Sequence, residues 1–121
     1  MQKKIAVILG DGIGPEVTQQ SIKVLNTIAK YYNHEFSYEN ALMGACAIDA
    51  TGNPLPDETI KICKESDAIL FGAIGDPKYD NDPSAKVRPE QGLLKLRKEL
   101  QLFANIRPVT TYAALQHLTP L

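Results

Sequence analysis

The chain is poor in the residues that most often carry chemistry. Its 121 residues include two cysteines and two histidines. Cys46 and Cys63 have no C-x-x-C spacing, so neither a zinc site nor a redox pair is indicated, and both read as reduced thiols of a cytoplasmic protein. His34 and His117 stand apart from any nucleophile or second ligand, which leaves them core or surface roles. Acidic residues do not cluster, so no metal site is expected from this stretch. The longest strongly apolar run, residues 5–9, is far too short to span a bilayer. It is also shorter than a signal-peptide core, and no cleavage pattern follows it. A net charge of −1 offers no excess of basic groups for nucleic acid. Internal repeats and low-complexity tracts are absent as well.

What remains is the composition of a soluble α/β protein, 44% hydrophobic and 22% charged. Strand-like and helix-like segments alternate. Residues 5–9 form a continuous apolar run suited to a buried parallel strand. Gly10, Gly12 and Gly14 follow, and Pro15 opens a helix with Val17, Ser21, Val24, Leu25, Ile28 and Ala29 on one face. Residues 34–40 read as a second strand and 44–50 as a short helix, closed by the turn at 51–54. Pro56, Asp57 and Glu58 start another helix whose Ile60 and Cys63 face inward. Residues 68–73 are a third buried strand, and 75–88 form the longest loop. A helix is expected over 89–101, then a strand over 102–109 that leads elsewhere. The fold class is α/β, a mainly parallel sheet with flanking helices. Residues 1–102 read as part of a first domain and 103–121 as the start of a second. Few strands and helices are present to cover both faces of such a sheet, so part of its apolar surface is expected to await further chain.

The segment after the long loop has the most pointed composition. Leu93, Leu96 and Leu100 share one helical face, the expected core face, while Glu90, Leu94 and Arg97 line the next, with Leu93 on the border. Arg107 lies ten residues beyond Arg97. A guanidinium offers a planar fork of donors that grips a carboxylate in two places, which lysine cannot do. Two forks beside leucines describe a pocket for a small branched dicarboxylic acid. An amphipathic helix with solvated arginines fits the same spacing. Residues 78–107 hold seven basic side chains (Lys78, Lys86, Arg88, Lys95, Arg97, Lys98, Arg107) against four acidic ones (Asp80, Asp82, Glu90, Glu99), an excess suited to an anionic ligand.

The glycines at 10, 12 and 14 run G-x-G-x-G, whereas the Rossmann dinucleotide fingerprint needs G-x-G-x-x-G with an acid ending the second strand. Glu39 lies near that place, yet the glycine spacing is wrong. A tight strand-to-helix turn near a cofactor and a purely structural turn both fit.

Four blocks together carry a resemblance. IAVILGDGIGPE (residues 5–16), MGACAIDA (43–50), FGAIGDPKY (71–79) and RPEQGLLKLRKELQLFANIRP (88–108) resemble, in this order, the isopropylmalate branch of the isocitrate and isopropylmalate dehydrogenase superfamily. The resemblance covers essentially the whole chain and implies that family's non-Rossmann α/β fold. It implies NAD as cofactor, contacted by Ile13, Gly75, Pro77, Lys78, Tyr79 and Glu90, with Glu90 beside both nicotinamide and substrate. Asp76 stands where many relatives carry a second glycine, and Tyr79 where many carry tryptophan. Arg97, Arg107, Leu93, Leu94 and Glu90 are implied to bind the substrate, the arginines at its carboxylates and the leucines at its branch. The implied reaction is NAD-dependent oxidative decarboxylation of 3-isopropylmalate to 4-methyl-2-oxopentanoate in leucine biosynthesis. Isocitrate-, tartrate- or malate-type activity, or a non-catalytic α/β binding module, are the alternatives. Relatives are substantially longer. The resemblance thus implies an N-terminal fragment, inactive alone. No catalytic residue is expected within it: the acid/base pair and the Mg²⁺ or Mn²⁺ ligands are expected beyond Leu121. A homodimer is implied for the full-length enzyme.

Overall fold

The computed structural model describes residues 1–81 and 84–118. Asp82 and Pro83, in the long loop, lie outside the described residues, as do Thr119, Pro120 and Leu121 at the end of the expected second-domain segment. The expectation that the catalytic groups follow Leu121 therefore concerns a point outside the described residues. The elements are β1 (Gln2–Gly10), α1 (Gly14–Tyr31), β2 (Glu35–Asn40), α2 (Ala45–Thr51), α3 (Asp57–Lys64), β3 (Ala68–Ala73), α4 (Pro77–Asp80) and α5 (Pro89–Glu99), followed by a 3₁₀ turn at Ala113–Leu118. The α/β class and the positions of the three strands follow the sequence expectation, but β3 is not the buried strand expected. Its residues are all half-buried or exposed, because among the described residues it is an edge strand with a neighbour on one side only.

The sheet is parallel, in the order β2-β1-β3, with Ile5 opposite both Tyr38 and Ala68. β1 is central, and Ile5, Ala6, Val7 and Ile8 are all buried, as a strand covered on both faces requires. Ala6 and Ile8 join Met43, Leu55, Ile60, Ile62, Cys63 and Leu96 in the main core. Strand alternation turns Ile5 and Val7 to the opposite face, where α1 packs. α5 closes the core side with Leu96, and Leu93 and Leu100 pack against the same cluster. That is the face expected from their spacing.

Two further expectations are corrected. In α1 the buried positions are Gly14, Thr18 and Ala29, while Val17, Val24 and Ile28 are exposed. The apolar stripe of α1 is wider than the part this sheet covers, and periodicity alone does not tell which residues of a stripe are covered. No strand forms over residues 102–109. Every residue from 101 to 118 is exposed, Phe103 completely. A strand must pair its N–H and C=O groups with a neighbour, and among the described residues no strand runs beside this segment.

Candidate functional site

The candidate cofactor residues gather where β1 and β3 end. In open α/β sheets, ligands bind at this carboxyl end of the strands. Gly10 closes β1 with φ +77°, and a Cβ there would stand 1.9 Å from the Ala73 carbonyl oxygen. The glycine turn therefore brings the β1–α1 connection against the end of β3. Asp11 follows in this turn and is buried at 6% exposure. Its backbone N–H donates to the Ala73 carbonyl at 2.7 Å, and its own carbonyl accepts from Gly14 N–H at 2.8 Å. Its carboxylate accepts from the backbone N–H groups of Ala45 (2.8 Å), Cys46 (2.9 Å) and Gly75 (3.0 Å). One carboxylate thus ties the turn after β1 to the start of α2 and to the segment after β3.

Gly75 has φ +134°, and a Cβ on it would lie 3.2 Å from Glu90 Oε1. The absence of a side chain there lets the Glu90 carboxylate, from the first turn of α5, come up to the loop. Gly75 and Glu90, 15 residues apart in sequence, are brought together. Pro77, Lys78 and Tyr79 form α4, a single turn capped by Asp76, whose Oδ1 accepts from Lys78 N–H at 3.0 Å. The departure from the family pattern at Asp76 is therefore used in shaping the loop.

Lys78 and Tyr79 both reach α2. The Lys78 ammonium pairs with Asp49 Oδ2, and the Tyr79 hydroxyl donates to Asp49 Oδ1 at 2.8 Å. The Lys78 bond, and then the Tyr79 bond, hold the Asp49 carboxyl below the usual carboxylate range. The same bond to Asp49 raises Lys78, and the hydrogen bond to Asp49 also raises Tyr79. A cleft of about 510 Å³ lies here, bounded by Asp49, Lys78, Tyr79, Lys86 and Val87. Lys78 enters it already paired, so an anionic ligand must compete with Asp49 for its charge. A hollow of about 520 Å³ at the opposite end of the sheet, lined by Asp67, Ala68, Glu99 and Leu102, touches none of the candidate residues.

On α5, Leu94 is 66% exposed, flanked along the helix by Glu90 and Arg97, both exposed. Leu93 leans into the core and presents less of itself. Arg88, the N-cap of α5, donates its backbone N–H to Gln91 Oε1 at 3.2 Å, which fixes the start of the helix. Arg107 lies on the extended, exposed segment beyond α5. Neither Arg97 nor Arg107 makes an ion pair among the described residues. Both guanidinium forks are thus uncommitted. Ile13, the N-cap of α1, is 60% exposed. Among the described residues no three His, Cys, Asp or Glu side chains converge to hold a metal ion. Burial raises the thiol of Cys46, with the Asp11 charge adding to it, and burial raises that of Cys63. Among the described residues, no helix is long and apolar enough to cross a membrane.

Asp11 and Asp49 are the residues that sequence reasoning missed. A buried position for Asp11 was legible in its place between an apolar strand and a glycine turn. Its three N–H partners were not, since they come from segments 34 to 64 residues away.

The fold recurs in known proteins. A family described as isocitrate/isopropylmalate dehydrogenase matches residues 4–121. The chain belongs to this family. It is 57% identical, over its whole length, to 3-isopropylmalate dehydrogenase of Bacteroides fragilis, of which it covers 34%. It is 58% identical over 118 residues, 98% of this chain and 32% of the relative, to 3-isopropylmalate dehydrogenase of Aquifex aeolicus. The chain therefore spans about a third of the length of the curated relatives it matches. A crystal structure of a beta-decarboxylating dehydrogenase from Thermococcus kodakarensis superposes with a TM-score of 0.64 at 34% identity, over 83% of this chain and 27% of that one. Isocitrate dehydrogenase from Methylococcus capsulatus gives 0.52 at 28% identity, over 61% of this chain and 21% of that one. The non-Rossmann fold expected from the four blocks is that of this family.

Proposed function

We propose that the full-length gene product oxidises 3-isopropylmalate with NAD⁺ and decarboxylates it to 4-methyl-2-oxopentanoate, and that this chain supplies binding groups for both ligands. The observation that carries the reading is the outer face of α5. There an exposed leucine stands between an uncommitted arginine and a glutamate drawn up to the Gly75 loop. The 57–58% identity to enzymes named for this activity supports it.

Arg97 and Arg107 grip carboxylate oxygens of the substrate and so orient the carbinol carbon, an entropic contribution to the rate. Leu94, with Leu93 behind it, receives the isopropyl branch, each buried carbon contributing about 0.8 kcal/mol. A third carboxylate, as in isocitrate, would have no partner on that leucine. Gly75, Pro77, Lys78 and Tyr79, with Ile13 across the turn, line the dinucleotide, and Gly75 leaves room for it beside Glu90. NAD⁺, when bound, accepts the hydride from the carbinol carbon. The described residues offer no ligand set for Mg²⁺ or Mn²⁺, and no step here passes through either. The acid/base pair and the metal ligands belong, in this reading, to the part of the gene product after Leu121. Residues 1–102 form part of a cofactor-side domain and 103–121 the start of a second, substrate-side and dimerising domain. The enzyme is a cytoplasmic homodimer.

The test is NADH formation by the purified full-length gene product, supplied with Mg²⁺ and NAD⁺, on 3-isopropylmalate, isocitrate and malate. The branched acid should exceed malate in kcat/KM by about tenfold or more, within the range one apolar branch can supply. Turnover of isocitrate alone would refute the assignment.

A further inference from the structure

We propose that Asp11 is a positioning residue for the dinucleotide, holding in register the two separate segments that contact it. This rests on the cofactor reading above and adds a residue to it. Ile13 lies two residues after Asp11, in the same turn. Gly75 begins the loop that carries Pro77, Lys78 and Tyr79. The only side chain linking that turn to Gly75 among the hydrogen bonds of the described residues is the Asp11 carboxylate, at 3.0 Å. The same group also holds the start of α2 through Ala45 and Cys46. α2 in turn carries Asp49, which grips Lys78 and Tyr79. The loop is thus tied to Asp11 twice, directly at Gly75 and indirectly through α2. Glu90 is coupled as well, since its carboxylate rests against Gly75.

The chemistry requires a carboxylate. Oδ2 accepts two N–H groups, from Ala45 and Gly75, and Oδ1 accepts one, from Cys46. A buried charge is tolerated only where it is hydrogen-bonded, and charged acceptors make the stronger bonds. An asparagine of the same shape must turn its NH₂ toward at least one of these donors. With the NH₂ in the Oδ2 place both Gly75 and Ala45 lose their acceptor. With it in the Oδ1 place Cys46 loses its own, and Gly75 is left with a neutral amide oxygen, a weaker acceptor than a carboxylate.

The experiment compares Asp11→Asn with Thr59→Ala in the full-length gene product. Thr59 is a buried residue of α3 whose hydroxyl donates to the Leu42 carbonyl at 2.6 Å, and it touches no candidate cofactor residue. Both variants lower the melting temperature. Asp11→Asn should also raise the KM for NAD⁺ about tenfold, the equivalent of losing one good interaction, and by more than it raises the KM for the acid substrate. Thr59→Ala should leave the NAD⁺ KM in place. An unchanged NAD⁺ KM in Asp11→Asn, or an equal rise in both variants, overturns the proposal and leaves Asp11 a structural residue only.

Should Asp11→Asn fail to fold, hydrogen exchange on the unaltered protein decides. The amides of Gly75, Ala45 and Cys46 should exchange slowly and as one cooperative unit, whereas independent exchange of Gly75 overturns the proposal. If the wild-type protein forms no NADH from any acid tested, the activity assigned above fails. The tie itself is then still read from these amides.

Discussion

Gly10 and Gly12 sit two residues apart in the same turn, yet replacing each by alanine should have very different consequences. At Gly12, φ is +54° and nothing lies within 4 Å of an added Cβ. Gly12→Ala should therefore cost only the left-handed conformation, about 1–2 kcal/mol. At Gly10, φ is +77° and the added Cβ would stand 1.9 Å from the Ala73 oxygen. To reach an ordinary contact of 3.4 Å the two backbones must part by about 1.5 Å, the difference between those distances. That movement breaks the 2.7 Å bond from Asp11 N–H to Ala73. A buried N–H left unpaired costs about 1–3 kcal/mol. Added to the backbone strain, Gly10→Ala should lose about 2–5 kcal/mol. The assay is urea unfolding of the full-length gene product and both variants, read as a shift in midpoint at constant slope. Equal losses at the two positions would show that the glycines serve backbone conformation alone. Two stable variants that no longer bind NAD⁺ would show that the turn is a phosphate cradle after all.

Other outcomes follow from the same geometry. Arg97→Lys and Arg107→Lys should each lower kcat/KM for 3-isopropylmalate by about 1.5–3 kcal/mol, the worth of a charge-assisted bond; wild-type kinetics in a folded variant removes that arginine from the site. Leu94→Ser should narrow the preference for 3-isopropylmalate over malate by about 1–3 kcal/mol, and an unchanged ratio of rates would show that the branch binds elsewhere. The Asp49 pair should respond to acid in a defined direction, because the Asp49 carboxyl is depressed. Its contribution is complete above the ordinary aspartate value of 3.8 and is lost as pH falls below that value through the depressed one. Proteolytic nicking of the 75–81 segment should therefore rise over this acid range in wild type but not in Asp49→Asn, and parallel behaviour of the two proteins would refute the pairing. Cys46 and Cys63, both raised by burial, should alkylate at neutral pH more slowly than free cysteine; rapid modification of either would show a thiolate that the burial does not predict.

The sheet was legible because residues 5–9 and 68–73 are continuous apolar runs, although only the central β1 is buried and the edge strand β3 is half-covered. The core face of α5 was legible because Leu93, Leu96 and Leu100 repeat at helical spacing next to Pro89. The same kind of pattern misled at 102–109, where strand-like residues find no partner strand among the described residues. It also misled at Val17, Val24 and Ile28, where a stripe is wider than the surface covering it. In the site, Gly75 and Glu90 were named from family resemblance, and their approach to each other depends on a positive φ that no residue pattern displays. The Asp11 and Asp49 ties were invisible for a related reason. A carboxylate bonded to distant backbone N–H groups, or to a lysine 29 residues away, leaves no periodic trace.

The most direct test of the account is hydrogen exchange of the full-length gene product with and without its ligands, read peptide by peptide. The account predicts that NAD⁺ protects residues 11–14 and 75–81, and that adding the acid substrate extends protection to 90–97 and to the segment around Arg107. Protection confined to the opposite end of the sheet, around Asp67 and Leu102, or none in any of these segments, would contradict it.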